Sequence, residues 1–182
     1  MTEYVYGLSK SGISVIKLLR LHKKNFDCWD DSKKIRDSLK KKISDLNFTP
    51  INKNNLARYK NIYLTPGLSI FDKKFSEVSK STIKRDLNLY YRYLKNEKII
   101  AITGTNGKST TTKLIGEILK RKFKNTFVGG NIGEALCNSM VNKSSFSYHV
   151  IELSSFQLET IENFEPKISI LLNLSKVHLY RY

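Results

Sequence analysis

An α/β fold is the class the sequence predicts: a Rossmann-like parallel-sheet unit at the N-terminus, followed by an incomplete P-loop unit. Three observations predict it. Short apolar runs alternate with stretches of helical periodicity along the whole chain. Two of the junctions from apolar run to helix are glycine-rich, Gly7–Gly12 and Gly104–Gly107. The run Lys98–Thr103 lacks polar alternation, as expected of a strand buried on both faces.

The elements follow in order. Tyr4-Val5-Tyr6 is a short apolar strand, and Gly7-Leu8-Ser9-Lys10-Ser11-Gly12 leads into a helix on which Ile13, Ile16, Leu18 and Leu19 recur up to about Arg20. Asn25–Trp29 is a second strand, ending at Asp30-Asp31, and a Lys-rich helix covers about Ser32–Lys42. Asn61–Leu64 is a third strand, closed by Thr65-Pro66-Gly67. Ile83–Lys95 reads as a helix with Leu87, Tyr90, Tyr91 and Leu94 on one face. Thr126–Val128, His149–Leu153 and Ile168–Asn173 are further strands, with helices at about 109–122 and 132–141. The organisation expected is a unit over 1–82, a linker helix over 83–97, and a second unit over 98–182 that stops without a helix after its last strand.

Composition narrows the function classes. With 182 residues, 40% of them hydrophobic and 26% charged, the chain can build a packed core. No apolar run reaches the ~20 residues of a membrane span, and the N-terminus lacks the pattern of a cleaved export signal. Cys28 and Cys137 alone make neither a disulfide framework nor a four-ligand zinc site, so a reduced, cytoplasmic setting is expected. The net charge is +16; 22 basic and 10 acidic residues precede position 99, and 10 and 6 follow. A nucleic-acid partner is not expected, because no basic stripe is interleaved with aromatics. The excess reads as Lys serving as the default surface residue.

The strongest motif is Thr103-Gly104-Thr105-Asn106-Gly107-Lys108-Ser109-Thr110, at the end of a buried strand and the opening of a helix. Glycines let the backbone curl so that N–H groups point at phosphate oxygens, and the helix N-terminus adds partial positive charge. Residues 104–110 are thus candidates for binding ATP, with Lys108 reaching the terminal phosphates and the Ser109 hydroxyl ligating Mg²⁺. Ile102 stands where the standard pattern begins with Gly. In Val150–Leu158, Glu152 emerges at a strand end, where open parallel sheets bind ligands, and suits Mg²⁺. Gly129-Gly130-Asn131-Ile132-Gly133 is a tight turn whose Asn131 is either a substrate donor or an ordinary N-cap. Gly7-x-Ser9-x-x-Gly12 is a dinucleotide fingerprint with its middle glycine replaced, and its N–H groups suit a diphosphate. Asp30 or Asp31 sits at the tip of the second strand, where a hydrogen bond with a uracil or ribose is in reach, though a turn or cap role serves equally. Gly67 offers bare backbone to a ligand, or closes a simple turn. His22 reads as a helix-end surface residue and His149 as the start of a strand.

The set Thr-Gly-Thr-Asn-Gly-Lys-Ser-Thr, Gly-Gly-Asn-Ile-Gly and Glu-Leu-Ser-Ser-Phe-Gln-Leu resembles the Mur ligases of peptidoglycan synthesis. The likeness extends over the whole chain through Gly7–Gly12, Trp29-Asp30-Asp31 and Thr65-Pro66-Gly67. It implies a P-loop Mur-ligase central domain after a UDP-binding domain, and ATP-dependent addition of D-glutamate to UDP-N-acetylmuramoyl-L-alanine through an acyl phosphate. By the same resemblance Lys108, Glu152 and His178 are catalytic, Ser109, Glu152 and His178 hold Mg²⁺, and Leu8, Ser9, Lys10, Asp30, Asp31, Gly67 and Asn131 meet the UDP-precursor. Full-length relatives are expected to be monomeric.

The last segment departs from the family pattern: in Asn173-Leu174-Ser175-Lys176-Val177-His178-Leu179-Tyr180, Val177 and Tyr180 stand where acids are expected. The resemblance also places a carbamylated lysine and a glutamate-binding domain beyond Tyr182. Negligible ligase turnover by this polypeptide alone is therefore expected. The alternatives are a P-loop module that holds nucleotide without joining substrates, or another Mur-type ligase.

Overall fold

The structure, a computed structural model, describes residues 2–141 and 146–176. The first unit contains β1 (Thr2–Tyr6), α1 (Lys10–Leu21), β2 (Phe26–Trp29), α2 (Lys33–Lys42), α3 (Lys53–Leu56), β3 (Tyr59–Leu64) and β4 (Ile83–Lys84). After α4 (Asp86–Tyr93) come β5 (Lys98–Thr103), α5 (Lys108–Lys122), β6 (Thr126–Gly130), α6 (Asn138–Val141), β7 (Tyr148–Glu152), α7 (Ser155–Leu158) and β8 (Ile168–Leu171). Two four-stranded sheets result, ordered β2-β1-β3-β4 and β6-β7-β5-β8, and every pairing is parallel.

Both orders jump across the starting strand. In the first sheet the chain leaves β1 for β2 on one side, then crosses to β3 on the other. In the second, β7 and β8 flank β5. Such reversal points leave a crevice at the carboxyl ends of the central strands. The glycine-rich loop after β1 and the one after β5 occupy these crevices.

Burial explains why these segments become these elements. Tyr4 and Val5 are fully buried between β2 and β3, as a central strand of a covered sheet requires. On α1, Val15, Ile16, Leu18 and Leu19 form the buried face. The helix ends where Lys23 takes a positive φ and Lys24 N donates back to the Leu19 carbonyl. On α2 only Leu39 is buried, so its lysines are a solvated face. One continuous apolar cluster runs from Ile16 and Leu18 through Leu87 and Tyr90 to Ile99, Phe127 and Ile151, joining the two sheets.

Two expectations need correction. The helix expected over 132–141 shrinks to α6, because Gly130 N donates to the Glu134 carbonyl at 2.7 Å and the chain turns tightly there. The helix expected from Ile83 starts at Asp86, since Ile83 and Lys84 pair with Ile62 and Tyr63 as an edge strand. Among the described residues no helix is long and apolar enough to cross a membrane.

Candidate active site

The loop between β5 and α5 is built on a left-handed turn: Gly107 takes φ 83°, a conformation that L side chains resist, and caps α5. The loop lies between a central strand and its helix, as the motif requires. Lys108 is half-buried and folds back over the loop, its Nζ donating to the carbonyls of Gly104 (2.7 Å) and Thr105 (2.9 Å). These are neutral acceptors. A phosphate oxygen makes a stronger, charge-assisted bond, so the ammonium is poised to exchange them for an anion.

Glu152 closes the other side. Its side chain is 1% exposed at the carboxyl end of β7, the strand beside β5. Ser109 Oγ donates to its Oε2 at 2.7 Å, and Asn131 Nδ2 donates to its Oε1 at 2.8 Å. Asn131 N also donates to the Glu152 carbonyl at 2.9 Å. Asn131 is therefore no N-cap; it sits above the carboxylate and orients it. A hydroxyl and a carboxylate in contact form a hard-oxygen donor pair that fits Mg²⁺, which takes few protein ligands and fills its shell with phosphate and water. His178, the third expected ligand, lies outside the described residues.

The exit of β8 latches the loop. Thr105 N donates to the Asn173 carbonyl (3.0 Å), Asn106 N to Asn173 Oδ1 (2.9 Å), and Asn173 Nδ2 to the Asn106 carbonyl (3.0 Å). The sequence predicts Asn173 only as the last residue of a strand and the first of the segment compared with the family pattern, with no contact to the phosphate loop.

At the first crevice, Asp30 and Asp31 part company. Asp30 accepts from Leu8 N (2.7 Å) and Ser32 N (2.9 Å), bracing the glycine loop against the end of β2. Asp31 is exposed and accepts from Tyr6 OH (2.8 Å), Trp29 Nε1 (3.2 Å) and Lys74 Nζ (2.6 Å). The Lys74 ammonium holds the Asp31 carboxyl below the usual carboxylate range. Burial pushes the Tyr6 hydroxyl up. Lys74, 43 residues away in sequence, carried no motif signal. Ser9 is exposed at the start of α1 with no side-chain cap bond, and Lys10 Nζ donates to the Gly133 carbonyl in the turn after β6. Gly67 is exposed, with open space where a side chain would stand. Away from both crevices, His149 is buried against Tyr90, whose hydroxyl lies 2.7 Å from Nδ1.

Comparison with known proteins adds to this geometry. Residues 102–182 match the family model of the Mur ligase middle domain. The UDP-N-acetylmuramoylalanine–D-glutamate ligase of Caldicellulosiruptor bescii is 34% identical over 185 residues, spanning 98% of this chain and 40% of the relative. The enzyme of the same name from Rickettsia conorii is 38% identical over 181 residues, spanning 98% and 35%. The chain thus covers about two fifths of the length of the curated relatives it matches. A crystal structure of UDP-N-acetylmuramate-alanine ligase MurC from Thermotoga maritima aligns with 100% of this chain and 43% of its own, at a TM-score of 0.55 and 22% identity, a likeness of fold.

Proposed function

The chain belongs to the Mur ligase family, and from this premise we propose that it carries the precursor- and ATP-binding parts of a cytoplasmic ligase that joins D-glutamate to UDP-N-acetylmuramoyl-L-alanine. The observation that carries the reading is the Ser109–Glu152–Asn131 chain of hydrogen bonds, set between the phosphate loop and the neighbouring strand end.

The chemistry must bring two anions together: the precursor's carboxylate attacks the γ-phosphorus of ATP to give an acyl phosphate and ADP. The amine of D-glutamate then attacks the acyl carbon, and phosphate leaves as the amide forms. Backbone N–H groups at the start of α5 position the phosphates, and Lys108 leaves its loop carbonyls to neutralise the transferring group. Ser109 and Glu152 are the residues that would hold Mg²⁺, which supplies charge neutralisation between the phosphates. Asn131 keeps Glu152 turned toward Ser109 and faces the precursor with its exposed side.

In the first crevice the N–H groups of Ser9 and Lys10 at the start of α1 receive the diphosphate. Asp31, exposed and fixed by Lys74 and Tyr6, accepts from the uracil. Asp30 is occupied with backbone and serves the loop instead.

Calorimetric titration with UDP-N-acetylmuramoyl-L-alanine tests the reading. Saturable binding that is lost in Asp31→Ala and kept in Asp37→Ala, an exposed acid on α2, is expected. Absence of binding by the intact chain overturns it.

A further inference from the structure

Two consecutive charged residues are buried where the chain passes from the first sheet to the second. Arg85 is 0% exposed and Asp86 2%. Each reaches to both sides of the junction. Arg85 donates to the carbonyls of Leu64 (3.2 Å), Thr65 (2.7 Å) and Leu68 (2.9 Å), which frame the turn after β3. The same guanidinium pairs with Glu159, just past α7 in the second unit. Asp86 accepts from Ser11 Oγ (2.6 Å), in the first turn of α1 where the glycine loop enters the helix, and from Gln157 Nε2 (3.2 and 3.3 Å), in α7.

The donor directions are forced. Gln157 Oε1 accepts from Ser154 N at 3.1 Å as part of a capping box, so its nitrogen must face Asp86. Leu87 N also donates to Asp86, at 2.9 Å. Three donors converge on this side chain; Leu87 N and Gln157 Nε2 cannot reverse their roles, and Ser11 Oγ completes the set. Buried charges of this kind rarely add stability over apolar residues of the same size. What they do fix is geometry, and the geometry here is specific. Ser11 and the Thr65–Leu68 turn belong to the first crevice, while Gln157 and Glu159 continue the segment that begins at Glu152.

We infer that Arg85 and Asp86 are positioning residues that lock the loops of the first crevice to the Glu152–Glu159 segment, so that filling one site tightens the other. The inference rests on the reading that the first crevice holds a uridine diphosphate group and the second a nucleotide with Mg²⁺. Its physical basis is shared ordering: a ligand that stills one side of the lock removes part of the ordering cost for the other. The coupling is reciprocal by linkage.

The test is titration of the intact chain with UDP, alone and under saturating Mg²⁺·ADP, and the reverse. Wild type is expected to bind UDP about fivefold more tightly when Mg²⁺·ADP is present, and Mg²⁺·ADP by the same factor when UDP is present. Asp86→Ala, which removes the acceptors of Ser11 and Gln157, is expected to bind each ligand separately with a coupling factor near one. Ser11→Ala keeps both buried charges, so it folds even where Asp86→Ala does not, and it is expected to lose the coupling too. A merely structural role would lower the melting temperature and leave the factor at its wild-type value. Both ligands binding wild type without coupling, or coupling surviving in Ser11→Ala, overturns the inference alone. A chain that binds neither UDP nor Mg²⁺·ADP overturns it together with the reading beneath it.

Discussion

Replacing Glu152 with Gln separates the stability of the site from its function. The side chain is 1% exposed and accepts from Ser109 Oγ at 2.7 Å and Asn131 Nδ2 at 2.8 Å. In Glu152→Gln the new amide nitrogen faces Ser109, whose hydroxyl turns round and accepts, and the remaining oxygen still accepts from Asn131. Two charge-assisted bonds become neutral ones, a loss of about 1 kcal/mol each. Relief of the desolvation cost of a buried carboxylate offsets this by a similar amount. The net change is within about 1 kcal/mol, or at most about 4 °C in melting temperature for a chain of this size. Mg²⁺, by contrast, loses its anionic ligand, so ADP affinity with Mg²⁺ falls at least about tenfold. Without Mg²⁺ the affinity holds or rises, because a negative charge beside the phosphates has gone. Thermal melts and calorimetric titrations with Mg²⁺ and with a chelator read both quantities. An unchanged Mg²⁺-dependent affinity in the variant would refute the assignment of Glu152.

Other outcomes follow from the same coordinates. Gly130 takes φ 114°, and a Cβ there would lie 2.3 Å from the Glu152 carbonyl oxygen, so Gly130→Ala should cost about 3 kcal/mol in urea unfolding; an unchanged midpoint contradicts this. Burial lowers His149 below the ordinary imidazole value of 6.5, so the unfolded chain takes up its proton first as pH falls. Its contribution is full above that value and is lost as pH drops through the lowered folded one, and the acid-side fall in melting temperature should shrink in His149→Gln.

Much of this was legible because strand-to-helix junctions with glycine have few backbone solutions. Thr103–Thr110 could be placed at a central strand end from its glycines and its apolar flanks alone. Glu152 was legible as a strand-end acid. The partners that orient it were not, since contacts between Ser109, Asn131 and Glu152 depend on which strands lie side by side. The same holds for Lys74 beside Asp31 and for Asn173 beside the phosphate loop. Periodicity misled over 132–141, where glycine geometry outweighed helical spacing, and at Ile83, where edge pairing with β3 took precedence. Arg85 and Asp86 lie inside the helix expected over Ile83–Lys95 and carry no signal of their own there. Only the packing of the two units through α1, α4, α6 and α7 buries them.

The central claim is that the curled backbone before α5 receives nucleotide phosphates. Backbone amide resonances, followed by NMR as Mg²⁺·ATP is added to the intact chain, test it most directly. The account predicts that the largest shifts fall on Gly107, Lys108, Ser109 and Thr110; shifts centred elsewhere, or none at saturating nucleotide, would contradict it.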